Sequence, residues 1–171
     1  AASAMVWKPC PPGTWSDATG LKAASECSDC PLGHFCPEAS GEPKECPFGV
    51  MGNAPRLADA TCAGSCPRGR YCPAGSVDDG QPCPEGTFNP NVGGTSSEAC
   101  LDCPLGDFCA APGTVDPQPC AAGYLGEAVG QTISTCSRKC PIGHYCEEKS
   151  TAPTPCPAGT FGADEGLTEL G

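Results

Sequence analysis

Aliphatic and aromatic bulk is scarce in this chain. Eight Leu, two Ile, six Val and five Phe are spread over 171 residues, well short of the ~20% such residues supply in packed domains. A single buried core therefore cannot offset a chain entropy of about 1–2 kcal/mol per ordered residue. No apolar run approaches the ~18–20 residues of a membrane span. Basic charge is thin as well. Nine Lys and Arg stand against twenty Asp and Glu, a net charge of −11, which argues against nucleic acid, whose phosphates require a basic face. None of the three Asn (Asn53, Asn89, Asn91) lies in N-x-S/T, so N-glycans are not expected. The acidic pairs Asp78-Asp79, Glu147-Glu148 and Asp164-Glu165 lack the D-x-D-x-D-G spacing of a calcium loop and read as solvated charge. Nowhere does an apolar 3.6-residue period last long enough for a stable helix.

What is abundant is glycine (23), proline (21) and cysteine (17). One cysteine in ten residues is the density of small secreted scaffolds that staple themselves covalently, and it places the chain outside the cytosol, on an extracellular or cell-surface route. C-x-x-C pairs such as Cys27/Cys30 and Cys100/Cys103 superficially suit zinc, but with two His in the chain and the pairs in strict repeat register, disulfides are the better reading. No cofactor and no metal are expected. His34 and His144 share a motif slot with Arg70 and Asp107, which an obligatory ligand or base would not tolerate.

Cys10, Cys46, Cys83, Cys120 and Cys156 recur at 36- and 37-residue intervals, each opening a motif C-P-x-G-x-φ. A second copy sits inside every period, at Cys30, Cys66, Cys103 and Cys140; Gly holds the fourth place in all nine copies and Pro the second in eight, Ala121 being the exception. The motif predicts a tight turn with Pro at its second corner and Gly tolerating the close approach of a disulfide. The sixth residues, Trp15, Phe35, Met51, Tyr71, Phe88, Phe108, Leu125, Tyr145 and Phe161, are expected to lead short extended segments and to supply most of the core that cysteine does not.

The expected fold is small and disulfide-rich, an elongated tandem array with short β-ribbons, turns and little or no helix. Its parts are 1–9, the end of a preceding repeat, repeats at 10–45, 46–82, 83–119 and 120–155, and the start of a fifth at 156–171. By alignment with the internal repeats, a cysteine is expected just before Ala1 and another just after Gly171, so the chain reads as cut from a longer array.

Spacing alone does not determine which cysteines pair. With the four of a period named a to d, two schemes respect the repeat. In one, a joins b and c joins d: Cys10–Cys27, Cys30–Cys36, Cys46–Cys62, Cys66–Cys72, Cys83–Cys100, Cys103–Cys109, Cys120–Cys136 and Cys140–Cys146, with Cys156 unpaired within this chain. In the other, b joins d and c joins the following a. The first is favoured because it closes each long loop on itself.

The motif C-P-x-G-[TH]-[FY], a cysteine about sixteen residues on, then C-x-x-C-P-x-G, resembles the ephrin-receptor-like cysteine-rich repeats, relatives of tumour-necrosis-factor-receptor and growth-factor-receptor modules. Such arrays occur in surface proteins of protists and algae as well as in animal receptors. The resemblance spans 10–161; the strict C-x5-C pair, Cys30/Cys36 and its copies, departs from the simpler two-cysteine repeats. It implies an elongated, non-enzymatic extracellular module.

The leading expectation is thus a structural or adhesive extracellular rod, a segment of a larger cell-surface or filament-forming protein, in homotypic contact with copies of itself or with flanking repeats. The alternative is a receptor ectodomain binding a protein ligand or glycans through the variable segments 37–45, 73–82, 110–119 and 147–155. The stretch Ser150–Pro155 offers Ser150, Thr151 and Thr154 as O-glycosylation candidates.

Overall fold

A computed structural model describes residues 7–169. Part of the expected preceding repeat, at 1–6, and the last two residues of the expected fifth repeat lie outside the described residues. These divide into two compact units, the first made of 7–67, Tyr71–Gln81 and Val92–Ser96, the second of Arg68–Arg70, Pro82–Asn91 and 97–169.

No α-helix occurs among the described residues; two short 3-10 turns lie at Ala24–Glu26 and Ser97–Ala99. Among these residues, regular extended structure lies in seven two-stranded sheets. The pairs are β1 (Thr14–Trp15) with β2 (Ser28–Asp29), β3 (His34–Phe35) with β4 (Lys44–Glu45), β5 (Arg70–Tyr71) with β6 (Gln81–Pro82), and β7 (Thr87–Phe88) with β8 (Leu101–Asp102). The remainder are β9 (Asp107–Phe108) with β10 (Gln118–Pro119), β11 (Tyr124–Leu125) with β12 (Arg138–Lys139), and β13 (His144–Tyr145) with β14 (Thr154–Pro155). Register is constant: the fifth motif residue faces the residue just before the next motif cysteine, as in Thr14↔Asp29, His34↔Glu45, Thr87↔Asp102, Tyr124↔Lys139 and His144↔Pro155. The structural module is therefore one loop, from motif cysteine to motif cysteine, and each repeat period holds two.

The motif turn sits one residue later than the sequence suggests. Thr14 N–H donates to the carbonyl of Pro11 at 3.0 Å, and Thr87 N–H to that of Pro84 at 3.1 Å, so Pro is the first corner and Gly the third. Gly13 has φ of 81° and Gly86 of 78°, the positive angle a type II turn demands there. Proline thus supplies the accepting carbonyl and presets the entry, and glycine takes the left-handed angle.

Within each unit, consecutive loops are joined by the same main-chain bonds. In the first, Gly13 N–H donates to the Cys36 carbonyl at 2.8 Å, Cys30 N–H to Gly13 at 2.9 Å, Ala39 N–H to Cys10 at 3.0 Å and Ser16 N–H to Ser40 at 3.1 Å. In the second, Gly106 N–H donates to Gly126 at 3.0 Å, and Cys120 N–H to Gly106, Gly130 N–H to Cys103 and Cys109 N–H to Gln131 at 2.8 Å each. The donor at the second corner of each loop also has positive φ, as at Arg56, Gly75, Gly93, Gly113, Gly130, Lys149 and Gly166.

These corners stack against motif glycines. A Cβ on Gly86 would lie 2.6 Å from the carbonyl oxygen of Gly130, and one on Gly33 2.6 Å from that of Gly75. Glycine is required here twice over, by the angle and by the approach of another backbone.

The disulfides join a to b and c to d: Cys10–Cys27, Cys30–Cys36, Cys46–Cys62 and Cys66–Cys72 in the first unit, Cys83–Cys100, Cys103–Cys109, Cys120–Cys136 and Cys140–Cys146 in the second. Cysteine b stands 17 or 16 residues after a, yet c always follows a by twenty residues. The one-residue slide is absorbed at b itself: Cys62 and Cys136, the early ones, adopt φ of 50° and 45°, whereas Cys27, preceded by a 3-10 turn, is extended.

The core differs from the expected one. Among the described residues, the buried hydrophobic side chains apart from Leu125 are all cysteines. Of the other sixth-position side chains, Trp15, Phe35, Met51, Tyr71, Phe88, Phe108 and Tyr145 are half-buried, and Phe161 is 89% exposed. Each ribbon is two residues long and each loop encloses little more than sulfur and backbone, so there is no interior deep enough to take a ring.

Three glycine-to-alanine substitutions separate angle from approach. G86A suffers both and should destabilise the fold by about 1–3 kcal/mol for the angle alone, with a further loss from the carbonyl of Gly130. G159A, whose φ is 87° but whose Cβ would meet nothing within 4 Å, should lose less. G41A, free of both constraints, should be near neutral. Non-reducing thermal unfolding checks the order.

Candidate functional site

The one element repeated with chemical regularity is the disulfide ladder, whose two classes differ in access. Both sulfurs of each c–d bridge are buried: Cys30, Cys36, Cys66, Cys72, Cys103, Cys140 and Cys146 are 0% exposed and Cys109 is 1% exposed. In the a–b bridges Cys46, Cys83 and Cys120 are buried, but Cys10, Cys27, Cys62 and Cys100 are half-buried. Cys136, at 8%, is the sheltered b cysteine. Cys156 has no partner among the described residues and is half-buried.

The two histidines fold back on their own turns. His34 Nδ1 lies 3.0 Å from the Leu32 carbonyl oxygen and His144 Nδ1 lies 3.2 Å from that of Ile142. Among the described residues no three His, Cys, Asp or Glu converge as ligands. No helix there is long and apolar enough to cross a membrane.

Charged contacts join some loops and brace others from within. Asp107, in β9 and almost fully buried, receives the Lys149 ammonium at 2.9 Å. Lys149 holds a left-handed corner where six other loops have glycine. On the surface, Arg138 donates from Nε to Glu127 Oε2 at 2.9 Å and from Nη2 to Oε1 at 2.7 Å. That guanidinium holds the Glu127 carboxyl below its ordinary range, and the carboxylate in turn raises Arg138. Asp59 is held low by the Thr61 hydroxyl and N–H, which close a turn beside Cys62.

The variable segments 37–45, 73–82, 110–119 and 147–155 are the outer halves of the short loops, between β3 and β4, β5 and β6, β9 and β10, and β13 and β14. Segment 37–45 frames an open depression of about 380 Å³ beside Glu38, Glu42 and Lys44. A separate concavity of about 310 Å³ lies between Trp7, Leu21 and the Cys10–Cys27 bridge. Ser150 is half-buried, its carbonyl accepting from Gly126 N–H at 2.9 Å; Thr151 is exposed past the corner, and Thr154 is exposed in β14.

One recurrent contact is not stated by the C-P-x-G-x-φ motif. Two residues after the second corner stands a β-branched side chain, Val77, Thr95, Val115, Thr132, Thr151 or Thr168, with its γ-methyl against a motif glycine. The signal was present as G-x-[TV] at 75–77, 93–95, 113–115, 130–132 and 166–168.

Searches against protein-family models and curated proteins found no match. The structure shows repeated disulfide-rich units with short antiparallel strand pairs, the architecture of cysteine-rich repeats.

Access predicts the order of reduction. Mild thiol treatment followed by alkylation and peptide mapping should open Cys10–Cys27, Cys46–Cys62 and Cys83–Cys100 before the c–d bridges, with Cys120–Cys136 the slowest of its class. Early loss of Cys30–Cys36 would contradict this.

Proposed function

We propose that the chain is a structural or adhesive element of an extracellular or cell-surface assembly, built from cysteine-rich repeats of the ephrin-receptor-like type and engaged in homotypic contacts with copies of itself or with flanking repeats. The observation that carries the reading is the identity of the loop-to-loop bonding. Each loop within a unit gives its neighbour the same glycine, cysteine and corner groups at 2.7–3.1 Å, so the fold serves repetition, as arrays stabilised by nearest neighbours do. The even loop lengths support it, because a dedicated ligand site usually announces itself as an outsized loop. The disulfide density supports a secreted location.

A receptor ectodomain is the rival, favoured by the depression at 37–45. Small-angle scattering and electron micrographs of native material separate the two: extended particles or filaments are expected, and short isolated globules saturable by a protein ligand would overturn the proposal.

A mechanical role also fixes what pulling should yield. With bridges intact, only the b–c and d–a segments extend, about 14 residues per period or roughly 50 Å plus two bridge spans. Reduction frees the whole period, roughly 130 Å. Single-molecule extension should therefore about double on reduction; an unchanged length would sink the idea that the bridges confine the loops.

A further inference from the structure

Seven of the twelve threonines form two contrasting classes. Thr14, Thr87, Thr114 and Thr160 donate their hydroxyl protons to the carbonyl three residues back, at 2.7, 2.7, 2.7 and 2.8 Å. Those oxygens are tied into turns. Thr95, Thr132 and Thr151 are held the other way. Their γ-methyls stand 3.2, 3.4 and 3.2 Å from where a Cβ would sit on Gly49, Gly86 and Gly106. The methyl occupies the inward rotamer position, so the hydroxyl takes another staggered position of an exposed residue. None of the three hydroxyls has a hydrogen-bond partner among the described residues. All three lie outside the ribbons, just past the second corner, at equivalent places in their loops.

We propose that Thr95, Thr132 and Thr151 are O-glycosylation sites. A hydroxyl with no bond to break, on a side chain whose χ1 is held by packing, is a ready acceptor, and a sugar attached to it projects in a defined direction. The other hydroxyl class would have to surrender its turn bond first. The donor is a nucleotide sugar. The bond from its anomeric carbon to the diphosphate breaks and one from that carbon to threonine Oγ1 forms. The hydroxyl proton passes to a base of the transferase, and the nucleoside diphosphate leaves with the bonding electrons. The inference rests on the secreted location proposed above, since such transferases act along that route. It selects Thr151 over its neighbours: Ser150 is half-buried, and Thr154 is locked into β14 opposite Tyr145 between two prolines.

Native protein mapped by mass spectrometry with electron-based fragmentation should show whole sugar residues on Thr95, Thr132 and Thr151 and none on Thr14, Thr87, Thr114 or Thr160. Bare threonines at the three positions, phosphate in place of sugar, or sugar on Ser150 or Thr154 with Thr151 bare would overturn it. T132V, produced in the native cells, keeps the packed methyl and should keep its disulfide map while losing one glycan mass; T87V should lose none. Full glycan mass on T132V also refutes the proposal. Free thiols throughout the native chain would refute the secreted location instead, whereas intact bridges with bare threonines refute only the glycosylation.

Discussion

The constraint on which the structure depends is that a motif glycine spends both of its main-chain groups on the next loop. Gly86 donates to Cys109 at 2.9 Å and accepts from Cys103 at 2.8 Å, while its φ stays at 78° and the Gly130 carbonyl closes the space where a side chain would go. Each loop thereby becomes the template for its neighbour. In a sheet this work is spread along a strand; here ribbons of two residues are too short to hold themselves, and the bonding is concentrated at corners.

Disulfides do what a hydrophobic core does elsewhere. In the chain-entropy model a loop of seventeen residues contributes about 3 kcal/mol and one of six about 2 kcal/mol. With buried hydrophobic residues limited, among the described residues, to cysteine and Leu125, cross-links and main-chain bonds are the main terms left to oppose chain entropy. The two classes divide the labour. The short c–d bridge fills the interior of its loop, and the a–b bridge ties a longer excursion to the same frame, tolerating a one-residue slide because Cys62 and Cys136 accept a left-handed backbone.

Such a scaffold leaves its side chains largely free. Most point outward from thin loops, so loop segments, charged pairs and hydroxyls vary without disturbing the glycine and cysteine frame. Lys149 illustrates the exception, trading the ease of glycine at its corner for a cation against the buried Asp107 carboxylate. A surface of this kind suits repetition and presentation, in keeping with the proposed structural role and with threonines displayed at fixed places.

The repeat period, the disulfide-rich class and the near absence of helix were legible from the spacing of Cys, Pro and Gly, because those residues constrain the chain locally. Less legible was the place of each residue within its turn: Pro at the first corner and Gly at the third follow from which carbonyl accepts, a fact of backbone geometry. The sixth-position aromatics look like a core in sequence and are mostly half-exposed in space, since hydrophobicity does not reveal whether an interior exists to receive it. The G-x-[TV] contact joins loops more than forty residues apart, as Gly86 meets Thr132, and no local pattern states such a distance. Sequence by itself thus determined what each loop is made of and how often it recurs. Tertiary structure alone decided which groups face inward, because that depends on how one loop's backbone rests on another's.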